Sequence, residues 1–355
     1  MKILLTESPE DNGYIESLIN SYKDLGHEVC CGISNFYFSN YIPDMLHIHW
    51  PERLHCWYTI GSICDEEILD LIKKRLEWYK NNSVTIVYTV HNLSTHEGKT
   101  LLGDAVYRLI IAYADVLVHH CEESINYFYE EYEDLLRNEQ LNIVCRHGDY
   151  LMHYKKVDKR DARQRYGIPQ DRIVTINFGI QREYKNERFI VDVYNAINYR
   201  LKYLLIAGKF DCSNSKRLKK LYYYTRNQKR KYFGHDKRKY IYRAFPVGEL
   251  PYILACADIA FLGQTKALNS GFISLAATYS IPIVMPELGC FRESAGGWRF
   301  KTYRPGDLKD ATNALNAMYK EVGDKNVRSN TEWLKMNSWR RHAEKITSAV
   351  RHLRS

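Results

Sequence analysis

Two cationic side chains in the C-terminal half have the types and spacing needed to hold a diphosphate. Arg182 and Lys185 are three positions apart, shortly after Gly179, in a segment that leaves an apolar strand and enters a helix. A guanidinium fork and an ammonium both bind phosphate oxygens well. Solvated charges at a helix start are the simpler interpretation, but cations are unfavourable at that end of a helix. The pattern therefore favours an anion bound nearby.

A second segment, farther along the chain, complements these cations. Asn269 and Ser270 are residue types that cap helices, Gly271 lets a ligand approach the backbone, and an apolar helical run follows until Pro282. A helix that begins in this way directs unpaired N–H groups and the positive end of its dipole outward, which suits a phosphate. Capping of the helix alone is the alternative interpretation. We predict that both segments contribute to one diphosphate site.

Histidines gather at the predicted strand ends of the N-terminal half. These positions also include one acid and one amide, and the full set is His47, His49, Glu52, His91, Asn92, His96, His119, His120 and His147. A lone histidine is usually structural, but several at the ends of neighbouring strands are harder to explain by packing. Imidazole and carboxylate are common metal ligands, yet these residues lie on separate strands without local ligand spacing. We therefore predict no metal site.

The elements that must position these residues alternate between strand and helix. Apolar runs predict strands near residues 2–6, 28–32, 44–50, 83–90, 115–120 and 142–150, and again near 172–179, 203–209 and 258–263. Alternation of this kind predicts parallel sheets built from βαβ units. We expect an α/β protein with two Rossmann-like, doubly wound domains that face each other across a cleft, because such sheets bind ligands beyond the carboxyl ends of their strands.

The domain boundaries follow from the point at which this pattern restarts. A polar, charge-rich connector precedes it and runs through Gly167-Ile168-Pro169. We place the first domain at 1–150 and the second at 151–325. Residues 326–355 are assigned to a C-terminal helix, predicted as one continuous element from Glu332 to Leu353, that packs across both domains.

Length and composition predict a globular protein. The chain has 355 residues, of which 45% are apolar, so it can bury two cores. No apolar run approaches the roughly 18 residues of a membrane span, and the first residues lack the pattern of a secretory signal. The nine cysteines contain no C-x-x-C pair, which predicts reduced thiols and no zinc site. These features predict a cytoplasmic protein.

One stretch carries the whole excess of positive charge. The net charge is +9, and residues 216–243 contain twelve Lys and Arg against one acid, Asp236. Six tyrosines and one phenylalanine are interleaved with these cations. Such a stretch could bind an anionic membrane or nucleic acid, or it could be a solvated face. Composition alone leaves these three interpretations open.

The ordered set of motifs resembles one known family. The motifs are His47–Glu52, Thr89–Asn92 with His96, His147–Tyr150, Phe178–Lys185, and Leu268–Gly271 with Ile281–Gly289. In this order they are similar to bacterial GT-B glycosyltransferases, especially those related to family 4 that build exopolysaccharide or capsule repeat units. The likeness covers about residues 1 to 300. It implies a metal-independent sugar transfer without a cofactor, with a nucleotide-diphosphate sugar as the donor substrate.

The resemblance also implies roles for individual residues. The segments that hold the donor diphosphate in relatives match Gly179, Arg182, Lys185, Asn269, Ser270 and Gly271. His91 matches a histidine that touches the donor sugar, and His49 and Glu52 match positions that face the acceptor. Two glutamates common in family 4 fall on Ala267 and Leu275, whose side chains cannot accept hydrogen bonds. Recognition of the sugar and ribose must therefore differ from the family pattern.

The expected reaction moves a sugar to a saccharide or lipid-linked saccharide acceptor. If it inverts configuration, Glu52, His49 or His91 would have to act as the catalytic base, whereas a retaining reaction needs none on the protein. The basic stretch and the loop from Leu54 to Tyr58 would hold the enzyme at the inner membrane face. A transferase of this kind has no nucleic-acid partner. The alternatives are a nucleotide-sugar epimerase of the same fold, or a non-enzymatic protein that binds nucleic acid or another polyanion through residues 216–243.

Overall fold

The computed structural model describes residues 1–56, 64–92, 100–211, 217–232, 237–323 and 329–355. The described chain divides into two compact units. The first unit combines Met1–Gly148 with Met336–Ser355, and the second unit spans Asp149–Lys335. Each unit contains one six-stranded sheet. The prediction of two Rossmann-like α/β domains is confirmed.

The sheet of the first unit is entirely parallel. Its strands are β1 Lys2–Leu5, β2 Glu28–Cys31, β3 Met45–Ile48, β4 Thr85–Thr89, β5 Val116–His119 and β6 Leu141–Val144. They lie in the order β2-β1-β3-β4-β5-β6, with every neighbouring pair parallel. The strand order reverses between β1 and β3. A sheet of this type binds ligands beyond the carboxyl ends of the strands that flank such a reversal.

Helices connect these strands. They are α1 Gly13–Asp24, α2 Ile33–Phe38, α3 Glu52–Cys56, α4 Asp65–Asn81, α5 Leu101–Tyr113 and α6 Glu122–Tyr132. Local sequence explains where they begin. The Asn12 side chain accepts hydrogen bonds from the N–H groups of Tyr14 and Ile15 at the start of α1, and the Thr100 hydroxyl accepts one from the N–H of Gly103 in α5.

The sheet of the second unit is also parallel. Its strands are β7 Ile173–Phe178, β8 Lys202–Ala207, β9 Arg238–Ile241, β10 Ile259–Phe261, β11 Ile283–Pro286 and β12 Phe300–Tyr303. They lie in the order β12-β11-β10-β7-β8-β9. This is the strand order of dinucleotide-binding sheets, and it reverses between β7 and β10. The helices are α7 Lys159–Tyr166, α8 Glu187–Ala196, α9 Arg217–Tyr232, α10 Leu250–Ala255, α11 Gly271–Thr278, α12 Phe291–Ala295, α13 Leu308–Gly323 and α14 Thr331–Met336.

The polar segment predicted as a connector contains α7, which is part of the second unit. Asp158 caps this helix by accepting a hydrogen bond from the N–H of Arg160 at 2.8 Å. Arg163 is only 3% exposed and donates to Asp258 at 2.6 Å. Asp258 also accepts from the N–H of Val174 at 2.7 Å, so one buried ion pair joins α7 to the sheet. The prediction was wrong because the sequence does not distinguish a buried arginine from a solvated one.

The C-terminal segment forms two helices instead of the single helix predicted. The last helix, α15 Trp339–Arg354, begins after Ser338, whose hydroxyl accepts a hydrogen bond from the N–H of Arg341. Helix α15 belongs to the first unit, where Trp339 packs into the core with α1. Trp333 of α14 is fully buried in the core of the second unit. A serine cap between two apolar stretches therefore splits the helix, and its two parts join different cores.

Two further expectations from composition can be compared with the structure. None of the described helices is long and apolar enough to span a membrane. Free thiols are present at Cys30, Cys31, Cys64, Cys145 and Cys256. Cys121 and Cys290 are disulfide-bonded, so the prediction of reduced thiols is wrong for these two residues.

Candidate active site

Two glycines shape the carboxyl ends of β7 and β8. Gly179 and Gly208 follow these strands with φ angles of 104° and 134°. A Cβ on Gly208 would lie 1.9 Å from the Gly179 carbonyl oxygen, so a larger residue would push the strand ends apart. Beyond them, the N–H of Gln181 donates to the Lys209 carbonyl at 2.8 Å. The segment after β7 is therefore held against the sheet edge at the strand reversal.

Lys185 folds back over this edge. Its Nζ donates to the Phe178 carbonyl at 3.3 Å and lies 2.9 Å from where a Cβ of Gly179 would be. Burial, together with the nearby Arg182 guanidinium, lowers the pKa of Lys185 to about 8. Within the described part of the chain, no carboxylate forms an ion pair with this ammonium. A half-buried cation in such surroundings is well suited to bind an anion.

Arg182 lies beside Lys185 and is itself oriented by an acid. Its Nε donates to the Asp211 carboxylate at 3.2 Å, and the two side chains are 28% and 24% exposed. Burial raises the pKa of the nearby Tyr184 hydroxyl, and the charge of Arg182 partly offsets this effect. The Asp211 pair orients the guanidinium near the ammonium, where the charge of Arg182 contributes to the lowered pKa of Lys185.

Helix α11 begins close to the same strand end. The ring of Phe272, in its first turn, lies 6.0 Å from the ring of Phe178 at the end of β7. The loop that leads to α11 is bonded to the Lys185 segment, because the N–H of Thr265 donates to the Tyr184 carbonyl at 3.2 Å. Ser270 occupies the N-cap position but its side chain makes no capping hydrogen bond. The first N–H groups of α11 therefore lack the partner that a serine cap would supply.

Three buried amide side chains complete this edge of the second sheet. Asn177 donates to the Phe261 carbonyl at 2.9 Å, which ties β7 to β10 across the strand reversal. The side-chain oxygens of Asn177, Gln181 and Gln264 are buried and have no hydrogen-bond partner among the described residues. An unsatisfied buried oxygen costs free energy, and bound hydroxyl or N–H groups would remove that cost.

A tyrosine ring forms the centre of a histidine cluster in the first unit. Among the described residues, the Tyr14 ring lies edge-on to seven aromatic rings, of which Trp50 is the most distant at 6.4 Å. The other six, with centroids 4.6 to 5.9 Å away, form the Tyr14 cluster, which contains His49, His91, His120, His147, Trp339 and His342. Burial lowers the pKa of His147 and His342 to about 4. It lowers the pKa of His49, His91 and His120 well below the usual value. The five imidazoles are therefore neutral at pH 7.

Three neighbours define the position of His91, which follows β4. The Trp50 ring stacks on it with centroids 4.4 Å apart and planes 14° apart. His49 Nδ1 lies 3.0 Å from His91 Nε2, a hydrogen-bond distance. Tyr14 supplies the edge contact at 4.8 Å. His91 and Trp50 are half-buried, whereas His49 and Tyr14 are buried, so the first two can reach a ligand.

His49 does not face outward as predicted. Its side chain is fully buried, and its neighbour on the same strand face, His47, is also fully buried. His47 is held by the Tyr22 hydroxyl at 3.1 Å and the Thr89 hydroxyl at 2.8 Å. Contact of His49 with an acceptor is therefore ruled out in this structure. Side chains two apart on a strand share a face, but the sequence does not reveal which face is covered.

Glu52 starts helix α3 and is half-buried. One of its carboxylate oxygens accepts a hydrogen bond from the Tyr107 hydroxyl at 2.7 Å. Tyr107 is 1% exposed, so this contact anchors the carboxylate from the protein interior. The Tyr107 hydroxyl therefore orients the carboxylate of Glu52. The same hydrogen bond also connects α3 to α5.

A second carboxyl group at this sheet edge escaped the sequence analysis. Glu7 follows β1 and is 2% exposed. It accepts hydrogen bonds from the Thr6 hydroxyl at 2.8 Å and from the N–H of Trp50 at 3.3 Å. Burial raises its pKa to about 7. Because β1 and β3 flank the strand reversal, Glu7 lies where such sheets bind ligands, and the strand-end rule could have found it.

The whole chain is similar in structure to solved glycosyltransferases. Sucrose-phosphate synthase from Thermosynechococcus elongatus matches with a TM-score of 0.73 and 13% identity over 99% of both chains. HepE from Anabaena, solved with UDP and glucose, matches with a TM-score of 0.70 and 14% identity over 99% of this chain and 100% of its own. A glycosyltransferase from Rickettsia africae matches with a TM-score of 0.67 and 10% identity over 99% of this chain and 97% of its own.

The chain has the GT-B fold. No family model matches the sequence, and the comparison with curated proteins finds no match. At 10 to 14% identity the structural likeness shows the fold alone. Within the GT-B fold, the cation segment lies at the strand reversal of the second sheet and the Tyr14 cluster lies in the unit formed by the first sheet.

The remaining histidines at the sheet edge are structural or undescribed. Both nitrogens of His119 lie at hydrogen-bond distance from protein side chains, those of Ser124 and Asn142. His96 lies outside the described residues. Within the described ranges, no three His, Cys, Asp or Glu side chains are grouped so that they could hold a metal ion.

A cavity in the second unit opens at the opposite edge of its sheet, near the first residues of the strands. Its lining includes Lys159, Arg163 and Asp258. Both cations pair with Asp258 at 2.6 Å. The lining is therefore rich in cations, two of which share the Asp258 carboxylate, and the cavity does not coincide with the site expected from the GT-B fold.

The basic stretch contains α9, and its side chains divide into two groups. Arg226 points toward the unit, where it pairs with Glu187 at 3.5 Å and lies over the Phe210 ring. In contrast, a second group is exposed, and it contains Lys220, Leu221, Tyr222, Tyr224 and Lys229. The exposed face of α9 thus combines two cations with apolar and aromatic side chains. Residue 216 and residues 233–236 of the stretch, like Trp57 and Tyr58 of the predicted membrane loop, lie outside the described residues.

Proposed function

We propose that the protein is a glycosyltransferase that moves a sugar from a nucleotide-diphosphate donor to a saccharide acceptor. The observation that carries this proposal is the half-buried ammonium of Lys185 at the strand reversal of the second sheet, without a carboxylate partner among the described residues. A diphosphate would supply the missing negative charge. HepE, which shares the fold, was solved with UDP and with UDP-glucose.

The proposed mechanism stabilises the leaving diphosphate. Negative charge builds on it as the bond to the sugar breaks, and preorganised cations and N–H groups lower the energy of that state. Lys185 and Arg182 would contact the phosphate oxygens, and the first N–H groups of α11, after Asn269, Ser270 and Gly271, would contribute their dipoles. Gly179 leaves room for the Lys185 ammonium to lie close to the backbone.

Donor hydroxyl groups need acceptors that Ala267 and Leu275 cannot provide. We assign this role to the buried side-chain oxygens of Gln181 and Gln264, which lie on the segments after β7 and β10. Hydrogen bonds from a sugar or ribose would satisfy both oxygens. This assignment predicts that Gln264→Leu raises the KM for the donor by roughly tenfold, consistent with the loss of one hydrogen bond.

The acceptor would bind at the edge of the first sheet. His91 is proposed to contact the donor sugar, and Glu52 and Glu7 are the carboxyl groups able to orient or deprotonate an acceptor hydroxyl. An inverting reaction would require one of them as base, whereas a retaining reaction could pass the proton to the leaving phosphate. Product anomer analysis by NMR, combined with Glu52→Gln and Glu7→Gln, separates these two mechanisms.

The decisive experiment is a thermal-shift screen with UDP, GDP, CDP and dTDP, because a ligand that binds the folded state raises its melting temperature. One of the four should produce a clear shift. The double variant Arg182→Ala, Lys185→Ala should lose the shift, while Arg188→Ala, which removes a cation that is 93% exposed on α8, should keep it. An unchanged shift in the double variant would refute the proposed site.

Turnover assays separate the transferase from its alternatives. An epimerase would convert the donor without an acceptor, whereas a transferase releases the nucleotide at a useful rate only when the acceptor is present. Activity in excess EDTA would support the proposed metal independence, and its complete loss, restored by a divalent cation, would contradict it. Salt-dependent RNA binding that is insensitive to Arg182→Ala would favour the polyanion-binding alternative.

We also propose that the exposed face of α9 contacts an anionic membrane. This contact would hold a cytoplasmic enzyme at the inner face of the membrane, close to a lipid-linked acceptor. Its reaction would then be a step in the synthesis of surface polysaccharide. Cations attract acidic headgroups, and exposed Leu221, Tyr222 and Tyr224 can enter the interface. The sequence of α9 contains no acidic residue that would oppose this.

Liposome flotation tests the membrane contact. The protein should bind vesicles that contain phosphatidylglycerol and should not bind neutral phosphatidylcholine vesicles. Lys220→Glu, Lys229→Glu should abolish binding, and the matched pair Lys73→Glu, Lys74→Glu on the exposed surface of α4 should leave it unchanged. Equal binding of phosphatidylglycerol vesicles by the two double variants would contradict the proposal.

A further inference from the structure

We propose that Asp211 is a positioning residue that strengthens the binding of the nucleotide diphosphate, although its own charge repels phosphate. It holds the Arg182 guanidinium through Nε, so that the terminal nitrogens of the same side chain are preorganised for the diphosphate. The inference rests on the proposed function, because it concerns the ligand of that site. The pairing of the two side chains does not depend on that function and can be measured without any nucleotide.

The backbone places Asp211 next to Arg182. Beyond the ends of β7 and β8, Gln181 and Phe210 form an isolated parallel bridge that continues the register of the two strands. The N–H of Gln181 donates to the Lys209 carbonyl at 2.8 Å, and the N–H of Asp211 donates to the Gln181 carbonyl at 2.9 Å. These two bonds are the repeating pattern of a parallel ladder. The residue after Gln181 and the residue after Phe210 are therefore neighbours.

Ring packing fixes the same segment from its other side. The Phe210 ring lies 4.9 Å from the Tyr223 ring and 5.7 Å from the Tyr242 ring. The Arg226 guanidinium lies over it, 5.1 Å from the ring centroid. Asp211 directly follows this packed side chain, so its carboxylate starts from a backbone that has little freedom to move.

The ion pair uses the inner nitrogen of the guanidinium. Arg182 Nε lies 3.2 Å from Asp211 Oδ2. A guanidinium has five N–H donors in one plane, and the four donors on Nη1 and Nη2 form the fork that matches two phosphate oxygens. Because Nε belongs to the same rigid plane, a bond at Nε fixes the direction of the fork.

Charge and position act in opposite directions at this site. As a charge, Asp211 weakens the attraction of Arg182 and Lys185 for a diphosphate. As an anchor, it restricts a long side chain that would otherwise lose its conformational freedom when the ligand binds, and a side chain that is already ordered loses less. Removal of the carboxylate therefore tightens nucleotide binding if charge dominates and weakens it if position dominates.

The hydrogen bond can be observed in the ligand-free protein. Full-length protein labelled with ¹⁵N-arginine gives Nε–H correlations, and Arg182→Lys identifies the signal of Arg182. We expect its Nε–H to exchange with water more slowly than that of Arg188, which is 93% exposed. Asp211→Ala should accelerate the Arg182 exchange by about fivefold, because one hydrogen bond is lost. Exchange that is unchanged in Asp211→Ala would overturn the proposal.

Nucleotide affinity separates position from charge. The probe is whichever of UDP, GDP, CDP and dTDP raises the melting temperature, and isothermal titration calorimetry gives its Kd. Asp211→Ala removes both the negative charge and the acceptor oxygen, and it should raise the Kd by about tenfold. Asp211→Asn removes the charge but keeps an acceptor oxygen for Nε, so its Kd should stay within about threefold of the original. A Kd that is unchanged or lowered in Asp211→Ala would overturn the proposal.

A double-mutant cycle attributes the effect to Arg182. In the Arg182→Ala background there is no guanidinium to release, so Asp211→Ala should no longer weaken binding. A further loss of about tenfold in that background would show that Asp211 acts through another contact, and would overturn the proposal. Asp192→Ala is the matched control, because Asp192 pairs with Arg188 at 3.9 Å on the exposed surface of α8. It should leave the Kd within about twofold of the original.

The two proposals fail in different ways. If none of the four nucleotides raises the melting temperature, the proposed function fails, and the Nε–H exchange still decides whether Asp211 holds Arg182. If a nucleotide binds and Asp211→Ala binds it as tightly as the original protein does, the proposed function stands and only the role of Asp211 is refuted.

Discussion

At the edge of the first sheet, desolvation removes charge from the histidines of the Tyr14 cluster, whereas at the same edge of the second sheet Lys185 is half-buried and remains a cation at neutral pH. The pKa of His147 and His342 falls to about 4, which is below physiological pH. The pKa of Lys185 falls only to about 8, which is above it. Desolvation therefore leaves a neutral aromatic cluster in one unit and a cation, the proposed anion-binding point, in the other.

The distribution of residues reinforces this contrast. Of the 13 histidines in the chain, only His153 and His235 lie within the sequence of the second unit. The first unit thus offers hydrogen bonds without charge, which suits the hydroxyl groups of sugars. The second unit offers cations and helix N–H groups, which suit phosphates.

Among the tests proposed here, acidification should produce the largest effect, because it should lower the stability of the first unit more than that of the second. The folded-state pKa of these histidines lies below the unfolded value of about 6.5, so below pH 6.5 the unfolded state binds more protons and stability falls as the pH falls. At pH 5, the lowered pKa values of His147 and His342 should each reduce the free energy of unfolding by about 2 kcal/mol relative to its value well above pH 6.5. Hydrogen exchange, corrected for its intrinsic pH dependence, should show loss of protection in β1–β6 before β7–β12. Simultaneous loss in both sheets would break the contrast.

Glu7 should show the opposite pH dependence within the first unit. Its folded-state pKa of about 7 exceeds the usual value, so the folded state binds the extra proton and stability is lost as the pH rises through 7. The free energy of unfolding of Glu7→Gln, taken relative to that of the original protein, should therefore increase by about 2 kcal/mol between pH 5 and pH 8. Urea denaturation at the two pH values measures this. Glu10→Gln, on an exposed side chain, is the control and should show no such gain.

Nucleotide affinity should reveal the charge state of Lys185. A diphosphate favours the ammonium, so the bound-state pKa rises above 8 and binding weakens as the pH rises through 8. Between pH 7 and pH 9 we expect the Kd for UDP to increase about tenfold, by linkage to one proton. Lys185→Arg keeps its charge and should flatten this dependence. Isothermal titration calorimetry provides the measurement, and a pH dependence that is unchanged in Lys185→Arg would exclude Lys185 as its source.

The smallest effect is expected at the start of α11. The Ser270 side chain makes no capping bond, so Ser270→Ala should change the free energy of unfolding by less than about 0.3 kcal/mol. Asp158→Ala removes an observed cap from α7 and should cost about 1 kcal/mol. Thermal denaturation of both variants compares them. A cost for Ser270→Ala as large as that for Asp158→Ala would mean that the start of α11 is already satisfied by its own serine.

The strands were predictable because each is a short apolar run between turn residues. The predicted strands near 203–209 and 258–263 correspond to Lys202–Ala207 and Ile259–Phe261. The sequence did not predict helix α7 because most of its residues are polar, and the ion pair between Arg163 and Asp258 that packs it against the sheet forms only in the folded chain. Local pattern determines which segments are strands, whereas the partner of a charged side chain is a property of the folded chain.

The candidate site could be predicted in part for the same reason. The strand-end rule led to Arg182, Lys185 and His91, because the carboxyl ends of parallel strands share one sheet edge. It did not reveal that His49 is buried, since burial depends on which elements cover the strand. Glu7 was overlooked although it follows β1 in the same way, because a single acid after a strand resembles an ordinary polar flank.

Helix α15 has a consequence for how the chain is made. Trp339 and His342 belong to the Tyr14 cluster, yet a ribosome synthesises them after the entire second unit. The nascent N-terminal 148 residues therefore lack part of their own core until the last helix emerges, and during that interval the surface of α1 that α15 later covers is exposed to chaperones.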